Sequence, residues 1–260
     1  MNFSVYNNLP IGKVYGGVIP PYNTTVPRYT KPGDSLSVNR ELDRVLNESV
    51  IQDMIDSNPV VLSILKSHNL KPTINLTNFK DTTYNHCVDT RNIALGIYNN
   101  LPVDLKQGAN VRYIQKGALL HDIGKVLIPE KIMNKTGKLN EKETEIMHLH
   151  SKLGEALLSS QNIEPEVLNI VKYHHQNKSG MGYPQINTLG GFDVNTEIVA
   201  LADKYSALTE KRAYKDGMDS EKALSIIKEE VDKGEISPRI YNALVGYINN
   251  TKKAKESVAA

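Results

Sequence analysis

With 31 basic and 29 acidic side chains among 260 residues, the chain has a formal charge of only +2, so there is no global electrostatic pull toward nucleic acid. Apolar residues make up 40%, enough for a core, yet no stretch approaches the roughly 20 consecutive apolar residues of a membrane span. The single cysteine, Cys87, excludes an internal disulfide, and the N-terminus lacks the basic start and apolar run of a secretion signal; a cytoplasmic protein is expected.

Residues 1–38 hold Gly16, Gly17, Pro20, Pro21, Pro27 and Pro32 among scattered tyrosines and threonines, without apolar periodicity, which predicts an unstructured arm. The arm is long enough for a short docking segment, but its sequence names no protein partner. From Asn39, the recurrence of Leu42, Val45, Leu46, Val50, Ile51 and Ile55 predicts a helical segment over 39–76. Asn58-Pro59 reads there as an N-cap followed by an N1 proline. Residues 1–75 are too short and irregular for a receiver or sensor domain. The main body spans 77–250, with helices expected at 78–101, 110–123, 140–160, 164–176, 194–210, 219–233 and 237–250. Glu164-Pro165 and Ser237-Pro238 read as helix entries. Residues 251–260, with "TKKAKES", read as a solvated tail. No stretch shows strand alternation, so the expected fold is an all-α packed helical bundle.

Chemistry concentrates in the histidines. His68 falls in the helical prelude and reads as a surface residue; the other six lie in the main body. His86 shares a helix face with Thr90, Ile93 and Ile97 and should look inward, either as a hydrogen-bonded core histidine or as a ligand. Cys87 beside it diverges by roughly 100° and reads as core packing, not as a thiol–imidazole dyad. His121-Asp122 ends the apolar run of "YIQKGALLHDIGK", where an ionised carboxylate must be paired or metal-bound. The ordinary alternative there is a helix end capped by Gly124, with Lys125 in a surface ion pair. His148 and His150 are two apart, so only one faces the core. The stripe with Met147, Leu153 and Gly154 selects His150 and leaves His148 exposed. His174-His175 precede the Gly180–Pro184 turn. Asp203 leaves a buried helix in "EIVALADKYSALTE", as a ligand or as an ordinary helix carboxylate. Histidine-rich sites with two aspartates and no thiolate suit Fe, Mn or Zn better than Ca or Mg.

The order His, "HDIGK", His, "HH", "GYP", Asp resembles the HD-GYP subgroup of the HD-domain metal-dependent phosphohydrolases, over about residues 80–248. "IPEKIMNKTGKLNEKE", "MHLHSKLGEALL" and "LADKYSALTEKRAYK" agree with it. The resemblance implies an HD-type helical bundle that hydrolyses cyclic di-GMP, to the linear dinucleotide or GMP, with water activated by two divalent metals. It implies Fe or Mn, with Zn as the alternative. It makes His86, His121, Asp122 and Asp203 ligands of one metal, and Asp122 a bridge to a second held by His150, His174 and His175. Asp122 and Lys125 would be catalytic, Lys125 meeting the scissile phosphate. Arg212 and Lys215 would also bind substrate phosphate. Tyr183, in the signature loop, would line the substrate site or serve structurally.

The sequence departs from the family pattern at four positions. Thr82 stands where members with a third metal carry glutamate, so two metals are expected. Gln176 and Ser179 replace the acids of "HHE" and "DGxGYP", which would weaken the support of the histidines. Ser206 replaces an aspartate near the substrate. The expected ligand is a cyclic dinucleotide or another phosphate ester, with no nucleic-acid polymer and no membrane. A related hydrolase of another nucleotide, and a metal-stabilised scaffold without turnover, are the alternatives.

Overall fold

The computed structural model describes residues 40–185, 192–210 and 217–259; the expected arm over 1–38 lies outside them. Among the described residues the chain is helical throughout, with no strand, as the sequence predicts. Three short helices come first: α1 (Arg40–Val45), α2 (Glu48–Ser57) and α3 (Pro59–Ser67). The Asn58 side chain accepts the Val60 N–H with Pro59 in the first turn, and its amide donates to the Ala156 carbonyl at 2.6 Å. One asparagine thus starts α3 and ties it to the main body.

The helix expected over 78–101 is two helices, α4 (Leu76–Thr82) and α5 (Tyr84–Asn99). They break at buried Thr83, φ −125° and ψ −28°, after Thr82 turns its hydroxyl back to the Asn78 carbonyl at 2.7 Å. After α6 (Val103–Gly108), α7 (Val111–Leu120) starts at Asn110, whose side chain caps two backbone N–H groups. α7 stops at Leu120 and a 3₁₀ helix covers Ile123–Leu127. Gly124 therefore lies inside that turn and is no C-cap. Pro129 opens the single turn α8 (Glu130–Met133).

α9 (Glu141–Ser159) begins with a reciprocal capping box between Asn140 and Glu143. α10 (Pro165–Tyr173) ends just before the histidine pair, so His174 and His175 occupy its C-terminal turn and not its body. α11 (Val194–Thr209), α12 (Ser220–Asp232) and α13 (Pro238–Ala259) complete the bundle. No glycine or proline interrupts the chain after Pro238 except Gly246, and α13 runs through the segment expected as a tail.

Two apolar clusters fill the bundle. One gathers Leu42, Ile55, Phe79, Leu120, Val126 and Leu157, from α1–α4, α7, the 3₁₀ turn and α9. The other gathers Ile97, Ile114, Ile170, Ile198, Ile227 and Leu244, from α5, α7 and α10–α13. α5, α7 and α10 contribute to both, and their ends near residues 86, 121 and 174 carry the polar groups described next.

Candidate metal centre

Placement begins with a close approach. A Cβ on Gly124 would lie 2.0 Å from the His150 carbonyl oxygen and 2.6 Å from the Gly154 nitrogen. Only glycine lets the 3₁₀ turn press against α9, and that contact puts Asp122 beside His150. α5 delivers His86, the end of α7 delivers His121 and Asp122, the turn after α10 delivers His174 and His175, and α11 delivers Asp203.

All seven of these side chains come together. His121 and Asp122 are 0% and 1% exposed; His86, His150, His174 and Asp203 are also buried, and His175 is partly open. Their ligand-type atoms form two groups, His86–His121–Asp203 and Asp122–His150–His174–His175, each within 4.8 Å internally. Asp122 faces both groups with different oxygens. Its Oδ2 lies 3.3 Å from His121 Nε2 and 3.9 Å from His86 Nε2. Its Oδ1 lies 3.4 Å from His150 Nε2 and 3.9 Å from His174 Nε2.

The imidazoles are held by their far nitrogens. Nδ1 of His121, His150 and His174 lies 2.7–2.8 Å from the carbonyls of Ala118, Met147 and Val171, each three residues back. A ring that donates from Nδ1 presents a bare lone pair at Nε2. The Nε2 atoms of His150 and His174 then face each other 3.2 Å apart, lone pair to lone pair. His121 Nε2 and Asp122 Oδ1 are buried with no hydrogen-bond partner. Orphaned acceptors of this kind cost about 1–3 kcal/mol each unless something positive sits among them. Cys87 also comes within 4.8 Å of the His121 and Asp122 ligand atoms, but burial pushes its thiol well above the usual value; the nitrogen and carboxylate-oxygen donors fit divalent transition-metal ions.

Electrostatics agree with that fit. Burial pushes the Asp122 carboxyl up, but Lys125 and His121 outweigh it and hold the group well below its ordinary value. Asp203 behaves alike, with His86 and His121 offsetting burial. Burial holds His150 down at about 3 and His175 at about 4, and pushes His174 well below its usual value. These three imidazoles are neutral at neutral pH, the state a metal needs. His121 differs: burial lowers it, but Asp122 outweighs burial and raises it.

Lys125 donates to Asp122 Oδ2 at 2.6 Å from a side chain 19% exposed. Arg212 and Lys215 lie outside the described residues. Tyr183 stacks on His148 at 3.6 Å and lies 4.6 Å from His175, walling the second group. His148, expected exposed, is half-buried by that stack. Ser206, which the resemblance places near the substrate, is buried behind His86, its Oγ 3.2 Å from His86 Nδ1. Gln176, expected to weaken the support of the histidines, holds the signature loop: its amide N–H₂ donates to the Pro184 carbonyl at 2.7 Å and its amide oxygen accepts the Gly182 N–H at 3.1 Å. His68 is a partly covered helix cap, with Nδ1 2.9 Å from the Ile64 carbonyl. Glu210, which the sequence reading passed over, brings Oε2 to 3.6 Å from His86 Nδ1. Its spacing from Asp203 and Ser206, seven and four residues, is the helical signal that would have found it. A cavity of about 310 Å³ opens beside His174, His175 and Asp203, with Phe192, Leu201 and Lys204 on its wall.

A family model of the HD domain matches residues 49–240. The chain is 28% identical over 215 residues to a cyclic di-GMP phosphodiesterase of Pseudomonas aeruginosa, covering 81% of this chain and 50% of that one. It is 36% identical over 138 residues to a cyclic di-GMP phosphodiesterase response regulator of Xanthomonas campestris pv. campestris, covering 52% and 36%. It is 33% identical over 127 residues to a 3'3'-cGAMP-specific phosphodiesterase of Vibrio cholerae, covering 49% and 30%. The chain thus spans half or less of the length of these relatives. A solved HDG"Y"P protein from Bdellovibrio bacteriovorus shares the fold at TM-score 0.55 and 17% identity, covering 82% of this chain and 69% of that one.

Proposed function

The chain belongs to the HD-domain family, and from that premise we propose that it is a metal-dependent phosphodiesterase acting on a cyclic dinucleotide, cyclic di-GMP first. The observation that carries the reading is Asp122, whose two oxygens turn to two separate groups of ligand atoms. One carboxylate shared in this way suits a dinuclear centre. On this reading His86, His121, Asp122 and Asp203 hold one ion, and Asp122, His150, His174 and His175 hold the other. Iron or manganese is the proposed metal, with zinc as the alternative. When bound, such a pair supplies Lewis acidity toward a phosphodiester and a water of lowered pKa.

The chain's own groups do the rest. The backbone carbonyls behind His121, His150 and His174 keep the ring protons away from the centre. Lys125 keeps a cation at the bridging carboxylate, where it offsets negative charge that develops on a phosphoryl oxygen. Tyr183 shields His175 from bulk water, while the neighbouring cavity leaves room for part of a nucleotide. Arg212 and Lys215 remain proposed phosphate contacts. The relative specific for 3'3'-cGAMP makes that dinucleotide the second substrate to try.

The test is to load the chain anaerobically with Fe(II) or Mn(II), incubate it with cyclic di-GMP and with 3'3'-cGAMP, and separate the products. A linear dinucleotide or mononucleotide, absent with Asp122→Ala, is the expected result. No product from protein carrying two ions would overturn the reading.

A further inference from the structure

The four most buried imidazoles of the centre are not held alike. His121, His150 and His174 each reach a backbone carbonyl three residues back. His86 does not: the carbonyl at that position, Thr83, accepts the Cys87 N–H at 3.0 Å. Its Nδ1 instead faces two side chains of α11, Ser206 Oγ at 3.2 Å and Glu210 Oε2 at 3.6 Å. Asp203, Ser206 and Glu210 fall three and four residues apart on one helix face, with the Glu210 N–H donating to the Ser206 carbonyl at 2.8 Å. The same helix that brings Asp203 to Nε2 of His86 therefore brings a hydroxyl and a carboxylate to its Nδ1.

The location of Glu210 has its own cost. It follows the last residue of α11, where the helix dipole is negative and an acid is disfavoured. Across the gap on α5, burial and then Glu210 raise the Asp89 carboxyl, so the negative charge is felt on the helix that carries His86. The Glu210 carboxylate oxygen, 3.6 Å from His86 Nδ1, favours a proton on that nitrogen.

We infer that Glu210, together with Ser206, is a positioning pair that keeps the ring proton of His86 on Nδ1 and so frees Nε2 as a ligand. This rests on the reading of His86 as a metal ligand. Asp203, 2.8 Å from Nε2, competes for the same proton, and without the pair nothing on the Nδ1 side opposes it. Neither residue touches substrate on this account; both act through His86.

Mn(II) titration of the metal-free chain, followed by calorimetry, tests this in the wild type and in Glu210→Ala, Glu210→Gln and Ser206→Ala. Glu210→Ala is expected to weaken one of two bound ions by about 10- to 100-fold and the other far less. Glu210→Gln should fall between it and the wild type, because the amide keeps a dipole and loses the charge. Nitrogen-15 spectra of the metal-free protein should show His86 shifting from Nδ1–H toward Nε2–H in Glu210→Ala, a change that a merely structural role would not produce. Wild-type affinities in Glu210→Ala would overturn the inference alone. So would equal weakening of both ions with a lower melting temperature. A wild type that binds no Mn(II) would overturn both the inference and the reading beneath it.

Discussion

At the scale of single residues, the candidate ligands announce themselves and the groups around them do not. Seven histidines are few, and an aspartate at the end of an apolar run is costly, so residue type and spacing expose the ligand candidates. The parts played by Gln176, Ser206 and Glu210 depend on which backbone passes within 3 or 4 Å, and no local pattern spells that. Gln176 illustrates the point. Next to the family's acid it reads as a lost charge, yet in the structure its N–H₂ donates to a carbonyl, which a carboxylate cannot do. Gln176→Glu should therefore destabilise the chain by about 1–3 kcal/mol, the cost of a buried unsatisfied acceptor. Calorimetry reads the fall in melting temperature, and hydrogen exchange should localise it to residues 180–185; an unchanged melting point would refute the account. Lys125→Ala should leave metal content near the wild-type level while turnover drops about 10²–10³-fold, as for loss of one charge-stabilising group. Equal losses of metal and turnover would make Lys125 a support for Asp122 and nothing more.

At the scale of elements, apolar periodicity located most of the main-body helices and was least informative at their ends. The break at Thr83 arises from a hydroxyl turning back on its own helix, and the continuation of α13 to Ala259 arises from the lack of any stop signal. The short helices after Pro102 and Pro129 hold too few residues for a periodic signal, and proline starts a helix as readily as it ends one. Gly124, a cap candidate in the sequence, marks instead the contact between the 3₁₀ turn and α9. A methyl group at that position meets backbone, which cannot rotate away. Gly124→Ala should thus cost about 1–3 kcal/mol and push Asp122 off His150. Mn(II) binding should weaken along with stability, whereas a helix-cap role would predict lower stability with binding intact.

At the scale of the whole molecule, the centre couples stability to pH. His150, His174 and His175 sit below the ordinary histidine value of 6.5, so the unfolded chain binds more protons than the folded one as pH falls below that value. Their contribution is present above 6.5 and is lost as pH falls, down to about 4 for His175 and about 3 for His150, at up to about 1.4 kcal/mol per pH unit for each group. His121 is raised and acts in the opposite sense, gaining stability below 6.5 and losing it as pH rises. Asp122 and Asp203, held below 3.8, do not titrate in this window. His148 is lowered too, while the Asp89 and Glu197 carboxyls are raised and act with His121. Four lowered imidazoles stand against three raised groups, so the metal-free chain should melt at lower temperature at pH 5 than at pH 7, and a higher melting point in acid would contradict the buried neutral imidazoles. The centre also stands where the two apolar clusters meet, fed by helices from both. A cation bound there would rivet them together, and its removal would leave like poles of His150 and His174 pressed against each other. Metal scarcity would then shorten the lifetime of the chain as well as its activity, since an unriveted bundle opens more often to proteases. The abundance of this protein in a cell would follow the supply of its ion.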